Sequence, residues 1–174
     1  MNLINVSDFS AKGKFELHTG MFDTPRVQSY IDKYEKKYLI NLLGVQLYGE
    51  FQADLLVPVV GVPTEPRFVK IFESFGVDKM GCVIYSEGII EMLKGFIYFE
   101  YVKDLINQMT PIGNVLPTGE NSDQATTLYS MMYTRYNEAA ASYKTIQYWI
   151  VFNDESTYNY DGFSGNEKGF AYWI

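Results

Sequence analysis

Apolar side chains recur at spacings of three and four in the first part of the chain, which predicts amphipathic helices. The first helix is predicted to start at Asp23-Thr24-Pro25, because Thr24 can cap free amides and Pro25 suits the first helical position. Gly44 is predicted to end this helix, and a shorter helix follows. The apolar faces of the two helices consist of Val27, Ile31, Tyr34, Tyr38, Leu42, Leu47, Tyr48, Phe51 and Leu55. The opposite face of the first helix carries Asp32, Lys33, Glu35, Lys36 and Lys37.

Two further helices are predicted in the middle of the chain. Thr64-Glu65-Pro66 marks the start of the shorter one, and Ser86 caps the longer one. Residues 76–85, between them, fit a short strand, a buried helical turn or a loop equally well. The longer helix is apolar on more than one side, so we expect several neighbours to bury it. Its core positions are Ile89, Ile90, Leu93, Phe96, Ile97, Val102, Leu105 and Ile106.

A long loop precedes the last predicted helix. Residues 110–121 contain two prolines and two glycines, and loops of this length tend to be functional or to pack on another surface. The last helix is predicted from about Ser122 to Phe152, and the small residues Ala139-Ala140-Ala141 permit close approach of another helix. Its apolar stripe consists of Leu128, Met132, Tyr136, Ala139, Tyr143, Ile146 and Ile150.

The chain ends in a segment without helical period. Residues 153–174 are polar, acidic and glycine-bearing in the middle, so they bury too little apolar surface to order themselves. We therefore predict an all-α helical bundle with long loops, residues 1–152, and an extended C-terminal tail, residues 153–174. The tail is expected to pack against its own core or a neighbouring subunit, because it carries aromatic side chains of the kind that anchor interfaces. These are Tyr158, Tyr160, Phe163, Phe170, Tyr172 and Trp173.

Composition limits the class of partner. The net charge of −7 argues against a protein that grips nucleic acid, because phosphate binding requires clustered Lys and Arg. It is compatible with DNA sliding past, since acidic walls repel phosphates. The longest apolar run, residues 55–62, is too short for a membrane span. Without a signal peptide or a second cysteine, the chain is expected to be soluble, cytoplasmic at synthesis and free of internal disulfides.

The sequence offers little catalytic equipment. His18 is expected to be a solvated residue in a short polar lead-in before the first helix, and Cys82 a small buried hydrophobe. Glu100 lies in an aromatic stretch, and we expect it to accept a hydrogen bond from a tyrosine or to pair with Arg135. The alternative for Glu100 is a general acid of raised pKa. No glycine pattern for phosphate binding occurs, so we predict neither an enzyme nor a cofactor or metal site.

Two stretches, taken in order, resemble a known family. The first is residues 30–48, a helix that ends Leu42-Leu43-Gly44 and resumes with Leu47-Tyr48. The second is residues 88–104, followed by the Thr110-Pro111-Ile112-Gly113 loop and the helix with Arg135-Tyr136-Asn137. Together they resemble the small head–tail connector proteins of tailed bacteriophages, also called adaptor, head-completion or neck ring proteins, in particular those of crAss-like phages. The resemblance covers roughly residues 20–150 and leaves the tail outside.

The resemblance implies a virion structural protein at the neck, made in the host cytoplasm. Such subunits form a ring, commonly a homo-dodecamer, between the portal protein and the adjacent tail or neck protein. DNA passes through the lumen without specific binding, and no membrane is involved. We assign the residue 110–121 loop and the residue 153–174 tail to contacts with neighbouring subunits. The tail would either add a strand around residues 157–160 or insert its aromatic side chains into an apolar groove. The predicted partner-binding residues are Pro111, Ile112, Val115, Leu116, Tyr158, Tyr160, Phe163, Phe170, Tyr172, Trp173 and Ile174.

Two alternatives remain at this point. One is a small soluble helical ligand-binding or hydrolase domain whose tail folds back over an apolar pocket. The other is a phage assembly chaperone, which differs from a connector by its absence from finished particles.

Overall fold

Helices make up most of the chain that the structure describes. The computed structural model describes residues 2–10, 12–17, 22–56, 61–106, 109–110, 113–114, 124–153, 158 and 169. The helices are α1 (Ser7–Ser10), α2 (Thr24–Asp54), α3 (Pro66–Phe72), α4 (Gly88–Ile106) and α5 (Gln124–Asn153). The strands are β1 (Phe75–Lys79), β2 (Cys82–Ser86), β3 (Met109–Thr110) and β4 (Gly113–Asn114).

An antiparallel hairpin corrects the all-α prediction. β1 pairs with β2, with Val77 opposite Ile84, which settles the open alternatives for residues 76–85 in favour of a strand. Met80 and Gly81 at the turn have φ angles of 52° and 83°, as a two-residue type I′ hairpin turn requires. A further short pair, β3 with β4, lies at the start of the predicted loop, with Met109 just before it. The fold is thus mostly helical, with small two-stranded sheets.

Gly44 breaks α2 into two helical segments. Its φ of 76° and ψ of 169° are non-helical, and this break lies where the sequence predicts the first helix to end. The N-cap of α2 is Asp23 rather than Thr24, without a side-chain capping bond. Both segments contribute to the core, since Leu43 before the break and Leu47 after it are buried.

The central position predicted for the longer of the two middle helices is confirmed, because α4 packs against α2, α3 and α5. The two helices α4 and α5 approach closely at Gly95. A Cβ atom at this position would lie 2.8 Å from the Cβ of Ala139 and 3.0 Å from the carbonyl oxygen of Arg135. The small residues of α5 therefore do permit the close helix contact that the sequence predicts. Predicted core positions that are buried include Ile89, Leu93, Phe96, Ile97, Val102, Met132, Ala139, Tyr143, Ile146 and Ile150.

The N-terminal segment is not the polar lead-in that the sequence suggests. Ile4, Phe9, Phe15 and Leu17 are buried in the same core as the long helices. Glu35, which was placed on the solvated face of α2, is buried as well. Its two carboxylate oxygens accept hydrogen bonds from the backbone N–H groups of Leu3 at 2.8 Å and Ile4 at 3.0 Å. Burial of this carboxylate raises the pKa of Glu35, although the two backbone donors oppose the change.

Asp54 connects the end of α2 to the start of α3. Its carboxylate accepts hydrogen bonds from the backbone N–H and the hydroxyl of Thr64, at 2.8 and 2.6 Å, and from the N–H of Glu65 at 3.1 Å. Burial alone would raise the pKa of Asp54, but these donors outweigh it and hold the pKa below the ordinary value of 3.8.

We expect Asp54→Asn to lower the free energy of unfolding at pH 7 by about 1–3 kcal/mol, because an amide NH₂ then faces a backbone donor. A carboxylate with a lowered folded-state pKa stabilises above its unfolded-state value and loses that contribution as the pH falls through the folded-state value. The difference between wild type and variant should therefore shrink below about pH 4. Urea titrations across this pH range measure it, and a difference independent of pH would contradict the assignment.

Candidate interaction surface

One face of the β1–β2 hairpin packs on the C-terminal half of α5. The ring of Phe75 meets Trp149 edge to face, with centroids 5.7 Å apart. The Thr145 hydroxyl donates to the carbonyl oxygen of Tyr85 at 3.1 Å, and the Ser142 hydroxyl accepts from the N–H of Glu87 at 3.0 Å. These contacts fix the hairpin from one side and leave its opposite side to solvent.

The solvent side of the hairpin carries large exposed apolar side chains, together with the exposed Asp78 opposite Val83. Met80 at the turn is 96% exposed, and Val83 and Tyr85 on β2 are 77% and 58% exposed. We call Met80, Val83 and Tyr85 the hairpin surface. Phe152, at the end of α5, is 70% exposed, but it lies 4.6 Å from the ring of Tyr148, which is under Lys79 on the inner face of the hairpin. Large apolar side chains that are exposed together on one face are typical of an interaction site.

Tyr158 lies at the base of the hairpin. It is 2% exposed, its hydroxyl donates to the carbonyl oxygen of Arg67 at 2.7 Å, and it accepts from Trp149 Nε1 at 3.1 Å. Since Trp149 also contacts Phe75, Tyr158 joins the start of the predicted tail to α3, α5 and the inner side of the hairpin. The sequence left open whether the tail packs against its own core or against a neighbouring subunit. Tyr158 packs against its own core.

Tyr158 is the predicted partner-binding residue whose surroundings the structure describes. The others lie outside the described residues, and their assignment stays a prediction. They are Pro111, Ile112, Val115, Leu116, Tyr160, Phe163, Phe170, Tyr172, Trp173 and Ile174.

Lysines lie over the aromatic rings beside the hairpin. Lys70 Nζ is 5.1 Å from the ring centroid of Phe75 and 5.2 Å from that of Trp149. Lys79 Nζ is 4.9 Å from the ring centroid of Tyr148. Both lysines lie on the side of the hairpin that faces α5, and the guanidinium of the neighbouring Arg67 is paired with Glu50 and Glu65.

Glu100 forms a polar link between α2 and α4. One carboxylate oxygen accepts from the hydroxyl of Tyr38 at 2.7 Å, and the other contacts the ammonium of Lys103. The tyrosine partner is confirmed, whereas the pairing with Arg135 is wrong, because Arg135 binds Glu138 at 3.1 Å. Burial and the bond to this carboxylate raise the pKa of Tyr38. Both oxygens of Glu100 thus have a partner: Tyr38 joins α4 to α2, and Lys103 lies one turn further along α4.

Cys82 is exposed, which corrects its prediction as a buried hydrophobe. The reason is its place at the outer end of β2, opposite Lys79 and next to the turn. Within the described residues, no group of three His, Cys, Asp or Glu side chains is arranged to hold a metal ion. His18 lies outside those residues. A cavity of about 150 Å³ is lined by the side chains of Leu3, Gln52, Leu55 and Leu56, none of which titrates.

Sequence reasoning did not find the hairpin surface, although a signal for it exists. The run Cys82-Val83-Ile84-Tyr85 is β-branched and aromatic, and alternate residues of a strand point to opposite faces. A strand with one solvated face would therefore expose Val83 and Tyr85. A four-residue apolar run does not reveal this on its own, because it fits a buried strand or a helical turn as well.

Comparisons with known proteins add no relative. No protein-family model, no curated protein and no solved structure matches the chain. Among the helices in the described part of the chain, none is long and apolar enough to cross a membrane.

Proposed function

We propose that this protein is a virion structural protein, a head–tail connector or neck ring subunit that bridges the portal and the tail around the DNA channel. The observation that carries the proposal is the exposed apolar hairpin surface on a mostly helical chain. Exposed apolar side chains of this kind are typical of a surface that another subunit of an assembly buries. The order of the connector-like stretches in residues 20–150 supports the same function.

In this proposal the helices form a bundle with long loops, and residues 153–174 form an extended tail. The residue 110–121 loop and the tail contact neighbouring subunits of a homo-dodecameric ring. The portal protein binds one face of the ring, and the adjacent tail or neck protein binds the other. Such a ring has heterologous interfaces, which close on themselves and so prevent endless growth. The net charge of −7 keeps the passing DNA from adhering to the lumen.

Truncation after Tyr158 tests the role of the tail. Deletion of residues 159–174 retains the buried Tyr158 side chain, so we expect the far-UV circular dichroism and the melting temperature to stay close to those of the full chain. The truncated chain should nevertheless fail to join phage particles, because the aromatic anchors beyond Tyr158 are lost.

The measurement is quantitative mass spectrometry of purified particles made with the full or the truncated chain. Equal amounts of both chains in finished particles would contradict the assignment of the tail. Presence of the full chain in assembling particles and absence from finished ones would favour the assembly chaperone. Absence from both would refute the connector function.

A further inference from the structure

We propose that the outer side of the β1–β2 hairpin binds the C-terminal segment, residues 159–174, of a neighbouring copy of the same chain. The inference rests on the proposed function, because it names the site at which one ring subunit holds the next. The hairpin is the receptor, and the aromatic segment beyond Tyr158 is its ligand.

The receptor side is defined by exposed apolar groups on a backbone that is held in place. Val83 and Tyr85 lie on the same face of β2, and Met80 extends this face at the turn. The opposite face is fixed to α5 through Phe75 and Trp149. Within the described residues β1 has β2 on one side and no strand on the other, so its edge can also receive an added strand.

The ligand side has suitable chemistry and length. Residues 159–174 carry two acidic side chains, Asp161 and Glu167, and one basic side chain, Lys168, so the segment is mostly uncharged. The chain ends Phe170-Ala171-Tyr172-Trp173-Ile174, in which aromatic rings suit the rings and methyl groups of the hairpin surface. The sixteen residues after Tyr158 span on the order of 50 Å when extended, enough to reach an adjacent subunit.

The position of Tyr158 favours a neighbouring copy over the same chain. Tyr158 is held by Trp149 and Arg67, on the side of the hairpin that already packs on its own core. The exposed face of that hairpin is directed away from this point. Tyr158 thus lies on the inner side of its own hairpin, whereas a neighbouring copy can present its outer face directly. The resulting contact is heterologous, as a closed ring requires.

Cys82 provides the test, because it is the single cysteine of the chain and lies exposed in the hairpin. A second thiol is introduced in the full-length chain with Ala171→Cys, and a flexible bis-maleimide is added to particles and to concentrated purified protein. A head-to-tail contact joins Cys82 of one copy to the introduced thiol of the next, so we expect a ladder of covalent species beyond the dimer. Ala171→Cys combined with Cys82→Ser has one thiol per chain and therefore gives at most dimers.

Substitutions in the hairpin surface add a matched comparison. Val83→Glu places a charge at the docking face and should reduce the ladder by about tenfold, as expected for a central interface residue. Val45→Glu, at a valine 71% exposed on α2, should leave the ladder unchanged.

An intramolecular link that yields only monomers, or dimers without a ladder, would overturn the inference. If the protein is present in particles but the ladder is missing, the inference fails and the connector function stands. If the ladder forms in purified protein that is absent from particles, the connector function alone fails.

Discussion

Tyr158→Ala is expected to lower the free energy of unfolding by about 3–5 kcal/mol, the range for truncating a fully buried aromatic side chain. The physical reason is twofold. The ring of Tyr158 is enclosed by the core, so its removal leaves a cavity. Its hydroxyl also bridges α5 and α3, since it accepts from Trp149 and donates to the carbonyl oxygen of Arg67. Guanidinium titrations followed by circular dichroism at 222 nm measure the change.

Tyr158→Phe separates the two contributions. This variant keeps the ring and removes the bridge, and it should cost about 1–3 kcal/mol because a buried donor and a buried acceptor lose their partner. If Tyr158→Ala changed the stability no more than an exposed substitution does, the start of the tail would not belong to the core. The truncation after Tyr158 would then also lose its rationale as a variant that preserves the fold.

Gly88→Ala is expected to lower the free energy of unfolding by about 2–5 kcal/mol. Two effects contribute to this loss, the left-handed backbone conformation at this position and overpacking by the added methyl group. Gly88 joins the hairpin to α4 with a φ of +87°, a conformation that disfavours a Cβ atom. The added Cβ would lie 2.4 Å from the carbonyl oxygen of Phe72 and 2.9 Å from that of Glu73. These are backbone atoms, which cannot turn aside as the end of a flexible side chain would.

Gly49→Ala is the matched control for this substitution. Gly49 lies in α2, and a Cβ built there meets nothing within 4 Å. Alanine is the better helix former, so this variant should gain about 1 kcal/mol rather than lose stability. Thermal and chemical unfolding measure the stability of both variants. Similar changes in stability at the two positions would show that the close contact at Gly88 does not exist. Because Gly88 connects the hairpin to α4, Gly88→Ala should also displace the hairpin and reduce the amount of cross-linked ladder.

The helices were predictable because their evidence is local. Spacings of three and four placed α2, α4 and α5, and Pro66 and Gly44 marked a start and a break, since these residues restrict or free the backbone wherever they occur. The close helix contact at Ala139 was also predictable, because small side chains in the middle of a long helix leave room for a neighbour.

The candidate site was less predictable. Aromatic residues in a polar tail indicate anchors, but the sequence does not say which surface receives them. Tyr158 shows the difference: its type predicts burial, whereas its partners, Trp149 and the carbonyl oxygen of Arg67, follow from how α3 and α5 meet. The hairpin surface depends in the same way on α5 covering one side of β1 and β2 and leaving the other open.

The sequence by itself thus determined the helical character, the break at Gly44 and the small residues of the helix contact, because each depends on neighbours within a turn or two of the chain. The tertiary structure decided that Glu35 is buried and Cys82 exposed. Glu35 lies on a face of α2 that reads as polar, and its donors, the N–H groups of Leu3 and Ile4, stand 32 and 31 positions away in the chain. Which face of an element is covered depends on such distant segments, and no local pattern contains that information.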